Sequence, residues 1–77
     1  MISVDILSPK MSRHLDVDSI FFPGVLGPFQ VLHNHAPLIS LLEEGKIRWR
    51  VAGKEESMEV KGGVVMVKDN AIQVCID

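Results

Sequence analysis

The chain has 77 residues, a formal net charge of -2 and a single cysteine, which predicts one small domain with a modest core. Hydrophobic residues make up 47% of it, which excludes a disordered chain, and the lack of a cation run argues against nucleic-acid binding. No apolar run approaches the roughly 20 residues that cross a bilayer, and the lone Cys75 suits a reducing compartment. We therefore expect a soluble protein that does not insert into a membrane.

The first third of the chain predicts two or three short strands. Apolar and polar residues alternate from Ile2 to Ile6, which indicates a strand with one buried face, and Ser8-Pro9-Lys10 ends it. The pattern from Met11 to Asp16 is weak, so we expect an edge segment or a loop. Val17 to Phe22 is rich in β-branched and aromatic residues but breaks strict alternation, which predicts a strand with a bulge.

Turn residues dominate the middle of the chain. Pro23-Gly24 and Gly27-Pro28 each predict a turn, and Phe29 to Leu32 reads as a short strand between turns. His33-Asn34-His35 interrupts that strand with residues that tolerate turn geometry. Ala36 to Leu42 fits either a strand or a helical turn, because a proline near its start is compatible with both.

A hairpin is the clearest prediction in the second half. Lys46 to Val51 alternates three cations with three apolar residues, Gly53 turns the chain, and Ser57 to Val60 alternates again. Acidic residues of this hairpin are expected to oppose its arginines, Glu55, Glu56 or Glu59 with Arg48 or Arg50.

The remaining residues predict two more strands. Gly62-Gly63 separates the hairpin from Val64 to Val67, an apolar run expected to be buried on both faces. Asp69-Asn70 forms a tight turn before a strand from Ile72 to Ile76. The whole pattern predicts an all-β fold, a flattened antiparallel β-sandwich or barrel of about 8 to 10 short strands, with residues 1–77 as a single domain.

Histidines offer the only lead to catalytic chemistry. A His-x-His pair on a strand directs both rings to one face, so His33 and His35, with His14 as a third ligand, define an alternative hypothesis of a small metal-dependent barrel. The pattern lacks a carboxylate at ligand spacing, and turn histidines that bond locally are the favoured interpretation. Cys75 has no base near it in the sequence that would make it a nucleophile. Gly62-Gly63 lacks the Lys and Ser/Thr of a phosphate-binding loop. No catalytic residue, metal or cofactor is predicted.

Five motifs, in order along nearly the whole chain, resemble the epsilon subunit of the F-type ATP synthase. They are Phe22-Pro23-Gly24, Gly27-x-Phe29-x-Val31-Leu32, His35-Ala36-Pro37-Leu38, Gly45-Lys46-Ile47-Arg48 and Gly62-Gly63-Val64-Val65-Met66-Val67. The resemblance implies a ten-stranded flattened β-sandwich at the foot of the central stalk. It also implies a non-catalytic role, coupling proton flow to ATP synthesis on the cytoplasmic side of the energy-coupling membrane.

The resemblance also implies partners and contact residues. His35, Ser40 and Lys61 match positions toward the gamma subunit, and Gly27, Pro28 and Phe29 match the loop that meets the rotor ring. The chain departs from the family at Pro28, where a glutamate is frequent, which puts a charge contact through that residue in doubt. The expected assembly is a hetero-oligomer. A free-standing sandwich adaptor with an unrelated partner is the other alternative.

The end of the sequence is a further difference from the resembled family. Most of its members continue into a two-helix domain that restrains ATP hydrolysis and in some binds ATP, whereas this sequence ends at Asp77. The expectation drawn from the resemblance is therefore a subunit without a latch or an ATP sensor.

Overall fold

Short β-strands account for most of the chain, as the sequence predicts. The computed structural model describes residues 1–77 and contains nine strands. They are β1 (Ile2–Leu7), β2 (Ser12–Val17), β3 (Ser19–Phe22), β4 (Phe29–Val31), β5 (Leu38–Leu42), β6 (Gly45–Val51), β7 (Lys54–Val60), β8 (Gly63–Lys68) and β9 (Ala71–Ile76). No helical segment with the length and hydropathy of a membrane span occurs in the structure.

The strands form two sheets, which confirms the predicted β-sandwich. One sheet has the order β2-β1-β9-β8-β5 and the other β4-β3-β6-β7. All neighbours are antiparallel except β1 and β9, which run parallel from the Ser3–Ala71 pair to the Leu7–Cys75 pair. Strands β2 and β5 are thus the edges of the larger sheet.

Period-2 alternation builds the core between the sheets. In β1, β6 and β9 the buried residues alternate with more exposed ones, because successive side chains of a strand point to opposite faces. The buried apolar cluster is Ile2, Val4, Ile6, Val17, Ile20, Phe22, Val31, Leu42, Ile47, Trp49, Val60, Val65, Val67, Ile72 and Val74.

Two predictions for the region before Pro23 need correction or completion. The weak segment from Met11 to Asp16 belongs largely to edge strand β2, which pairs with β1 along its length. The predicted bulge between Val17 and Phe22 is instead a corner at Asp18, where the chain leaves one sheet and enters the other. Val17 and Ser19 are both buried on either side of this corner, which explains the broken alternation.

Strand β8 is buried on one face only, contrary to the prediction of burial on both. Val65 and Val67 enter the core, whereas Val64 is half-buried and Met66 is 36% exposed. No element of this chain covers the outer face there, so its apolar residues face solvent. The ambiguous segment before Glu43 is a strand, β5, which pairs with β8 from the Leu38–Val67 pair to the Leu42–Gly63 pair.

Two-residue loops close both C-terminal hairpins. Ala52 and Gly53 join β6 to β7 with φ angles of 52° and 79°, and Asp69 and Asn70 join β8 to β9 with φ angles of 54° and 58°. Two successive positive φ angles define the turn that matches the strand twist. The register places Glu55 opposite Arg50, as predicted, but places Ser57 opposite Arg48 and Glu59 opposite Lys46.

Candidate docking surface

The largest concavity of the molecule lies between edge strand β5 and the loop that precedes β4. It has a volume of about 740 Å³ and is open to solvent. We call it the loop-β5 groove. Its lining is mostly apolar and consists of Val25, Leu26, Gly27, Pro28, Phe29, His35, Leu38, Ile39, Ser40 and Leu41.

Backbone hydrogen bonds fix the loop against β5. The Val25 N–H donates to the Leu41 carbonyl at 3.0 Å, and the Gly27 N–H donates to the Gly24 carbonyl at 3.0 Å. A side chain at Gly24 would lie 2.6 Å from the Gly27 oxygen and 2.9 Å from the Phe29 ring, so only glycine permits this close approach. The loop is therefore an ordered wall of the groove.

An apolar patch continues from the groove onto the outer face of the larger sheet. Leu26 is fully exposed at the loop tip, and Ile39 and Leu41 of β5 are 74% and 62% exposed. Met66 lies directly across from Ile39 on β8. Several large apolar side chains grouped on one surface of a soluble domain are typical of a protein interaction site.

Five of the six residues that the resemblance singles out line this groove. Gly27, Pro28 and Phe29 form its loop wall, and His35 and Ser40 belong to the β5 side. Lys61 does not join them. It lies between β7 and β8, beside a smaller polar hollow that Glu44, Lys46 and Glu59 also line.

The most exposed side chains of the surface were not singled out from the sequence. Ser40 shares its face of β5 with the buried Leu42 and is itself half-buried, whereas Ile39 and Leu41 point to solvent. The sequence holds no signal for them, because Leu38 to Leu42 is apolar except for Ser40 and the polar Ser40 lies on the inner face of the strand.

Phe29 is partly a core residue. Its ring is half-buried and lies 5.5 Å from the ring of Phe22, a residue fully inside the sandwich. Pro28 and Gly27, by contrast, are exposed. An aspartate at position 29 would therefore lower the melting temperature as well as alter the groove.

The family model described as the ATP synthase delta/epsilon chain beta-sandwich domain matches residues 1–77. The chain belongs to this ATP synthase delta/epsilon family. Relatives named ATP synthase epsilon chain include one from Leptospira interrogans, 39% identical over 77 residues, with 99% of this chain and 61% of the relative covered. One from Desulfitobacterium hafniense is 42% identical over 62 residues, covering 80% of this chain and 47% of the relative.

Chains in solved ATP synthase structures share the fold. A chain in the Euglena gracilis mitochondrial ATP synthase matches 97% of this chain, with a TM-score of 0.89 at 19% identity, over 49% of its own length. A chain of the Tetrahymena thermophila mitochondrial ATP synthase central stalk and c-ring matches 97%, with a TM-score of 0.82 at 17% identity, over 62% of its own length. The delta/epsilon domain described here spans about three-fifths of the length of its Leptospira relatives.

The histidines of this delta/epsilon domain do not meet as the metal hypothesis requires. His33 and His35 lie in the turn between β4 and β5 rather than on a strand, and the His35 Nδ1 donates to the Ala36 carbonyl at 2.7 Å. A second hydrogen bond joins this turn to the turn between β8 and β9, since the Asn34 N–H donates to the Asn70 Oδ1 at 2.6 Å. Because both histidines lie in a turn, the premise of a His-x-His pair on a strand is wrong. No group of three or more metal-ligating side chains is found in the structure.

His14 lies on β2, bridging two carboxylates on the outer face. Its Nδ1 is 2.7 Å from Asp5 Oδ1 and its Nε2 is 3.3 Å from Asp16 Oδ1. The hydrogen bond with Asp5 is the largest cause that raises the pKa of His14 above its ordinary value of 6.5. Desolvation, the next in size, opposes the rise, and the charges of Asp16 and Asp5 add to it. A protonated ring donates to both carboxylates at once.

We expect this bridge to make stability depend on pH. Because the folded pKa exceeds the unfolded one, the contribution is fully present below pH 6.5 and is lost as the pH rises through the folded pKa of His14. Asp5→Asn should lower the pKa of His14. The urea concentration at the midpoint of unfolding should then fall less steeply above pH 6.5 than it does for the wild type. NMR titration of the His14 ring in both proteins measures the shift, and equal pKa values would contradict it.

Proposed function

We propose that this domain is a non-catalytic central-stalk subunit of a rotary, proton-translocating ATP synthase. It links the gamma subunit to the rotor ring and so couples proton flow to ATP synthesis. It works on the cytoplasmic side of the energy-coupling membrane, held there through the complex. The observation that carries the proposal is the ordered, apolar loop-β5 groove on a domain of this family.

The edge of β5 supports a partner that docks in extended form. In an antiparallel ladder, the N–H and C=O of one residue point to the same side, and residues two apart share that side. The Leu41 carbonyl is bonded to the Val25 N–H, on the side away from β8, so the N–H and C=O of Ile39 point toward the groove. Backbone groups on an open edge are available to a strand of another chain.

The packing of Gly63 supports a function that needs no bound nucleotide. Gly63 allows β8 to pass close to β9, because a Cβ there would overlap the Cys75 carbonyl oxygen. Strand packing thus accounts for a glycine that could otherwise suggest a phosphate loop. We infer that residues 1–77 transmit force through contacts rather than through a bound ligand.

Co-elution with the gamma subunit tests the proposed function. Mixing the purified chain with the gamma subunit of the same organism should give a stable 1:1 complex in size-exclusion chromatography, because the exposed apolar patch would be covered. The rotor ring is then added to ask whether all three co-elute. Separate elution of the chain and the gamma subunit would favour the free-standing adaptor instead.

A further inference from the structure

A second hollow lies on the opposite sheet, next to the loop wall of the groove. It has a volume of about 260 Å³ and is lined by Phe21, Phe22, Pro23, Pro28, Lys46 and Arg48. Pro28 lines both this hollow and the loop-β5 groove, so the two surfaces are continuous. We call the second one the basic hollow.

Cross-strand pairing fixes the position of the Arg48 guanidinium. Arg48 of β6 lies directly across from Phe21 of β3, and its guanidinium carbon is 5.4 Å from the centre of the Phe21 ring. Stacking on an aromatic face orders this side chain and leaves its N–H donors free at the edges. Free guanidinium donors bind carboxylates in a bidentate geometry.

The cations of the basic hollow form no ion pair within the chain. Both ion pairs of the structure involve His14, so Lys46 and Arg48 have no carboxylate within 4.0 Å. No acidic residue lines the hollow. The cross-strand neighbour of Arg48 on β7 is Ser57, whereas that of Lys46 is Glu59, so Arg48 is the cation without an acidic neighbour. Two cations beside proline and phenylalanine walls are complementary to an anionic group.

We propose that the basic hollow receives a carboxylate side chain of the rotor ring. The inference rests on the proposed function, because it takes the Gly27 to Phe29 loop as the part of the domain nearest to the ring. The hollow is smaller than the roughly 300 Å³ at which small-molecule sites begin, which suits one inserted side chain.

Ring binding by charge-neutralised variants tests this contact. Arg48→Gln and Lys46→Gln should each weaken binding of the chain, in its complex with the gamma subunit, to the ring of the same organism by about fivefold. The loss should shrink as salt is raised, because screening weakens the wild-type contact. The control is Arg50→Gln, which removes the next cation on the same face, one that lies outside the hollow and opposite Glu55. It should change binding less than twofold.

Several results would overturn the proposal. Unchanged ring binding in Arg48→Gln and Lys46→Gln would rule out the proposed contact. An equal loss of ring affinity in Arg50→Gln would show that the effect is not specific to the hollow. A different result would identify a lipid surface instead. The wild-type chain would sediment with phosphatidylglycerol vesicles and Arg48→Gln would not, while both bound the ring equally.

A peptide titration keeps the test independent of the complex. If the wild-type chain fails to bind the gamma subunit, the proposed function fails, but the hollow can still be probed by NMR with acetyl-Ala-Glu-Ala-amide. Shifts at Phe21, Lys46 and Arg48 that the matching Gln peptide does not cause, and that Arg48→Gln removes, would show a carboxylate site. Their absence would overturn the proposal.

Discussion

Ile39→Asp is expected to weaken binding of the gamma subunit strongly while leaving the domain folded. Ile39 is 74% exposed at the centre of the β5 side of the groove. A charge there would be buried without a partner when another chain covers the groove. A central apolar contact of this kind is worth about 2 kcal/mol or more, so the dissociation constant should rise by about 30-fold or more. Isothermal titration calorimetry with the purified gamma subunit measures it.

Two further variants separate docking from folding. Ile39→Thr removes apolar area but keeps a β-branched side chain, so it should keep the strand and lose less affinity. Met11→Asp puts the same charge on another exposed apolar residue, outside the groove, near the turn between β1 and β2. If Met11→Asp weakened gamma binding as much as Ile39→Asp, net charge and not the groove would be responsible.

Trp49→Ala is expected to destabilise the domain by about 3 to 5 kcal/mol. Trp49 is the largest fully buried side chain, and the guanidinium carbon of Arg13 lies 5.3 Å from the centre of its ring. At about 0.05 to 0.15 kcal/mol per residue, a domain of this size unfolds at a cost of about 4 to 12 kcal/mol. The variant should therefore be largely unfolded at 37 °C if the wild type lies near the lower limit. Urea unfolding followed by circular dichroism measures the loss, since the only tryptophan is gone.

Trp49→Phe is the matched control. The indole Nε1 is buried without a hydrogen-bond partner, so replacing it with phenylalanine breaks no hydrogen bond and removes a desolvated polar group. We expect a loss of about 1 to 2 kcal/mol from the smaller volume. A loss in Trp49→Phe as large as that in Trp49→Ala would mean that the nitrogen, and not the packed ring, contributes the stability.

Most strands could be predicted because one of their faces is buried against the other sheet. The alternation around Ile47 and Trp49 encodes both the strand and its buried side. The segment from Val17 to Phe22 could not be resolved in the same way. Its change of sheet at Asp18 reverses which side is buried, and a local pattern gives the same signal for a bulge as for a corner.

The candidate site was predicted in part. His35, Ser40 and the Gly27 to Phe29 loop could be singled out only through the family resemblance, since none of them forms a catalytic or ligand motif. The packing of Phe29 on Phe22 could not be predicted, because it depends on the pairing of β3 with β4, which places the two residues opposite each other.

The sandwich and the residues that share a strand face could be inferred before the fold was known, because turn motifs and period-2 alternation are local properties of the chain. The family was inferred separately, through the resemblance of its motifs. Which faces remain uncovered became clear from the packing of the two sheets. Ile39 and Met66 look like core residues in the sequence, yet they lie on the outer face of the larger sheet, against which no part of this chain packs. Burial depends on what lies opposite a face, and that is set by contacts between residues far apart in the chain.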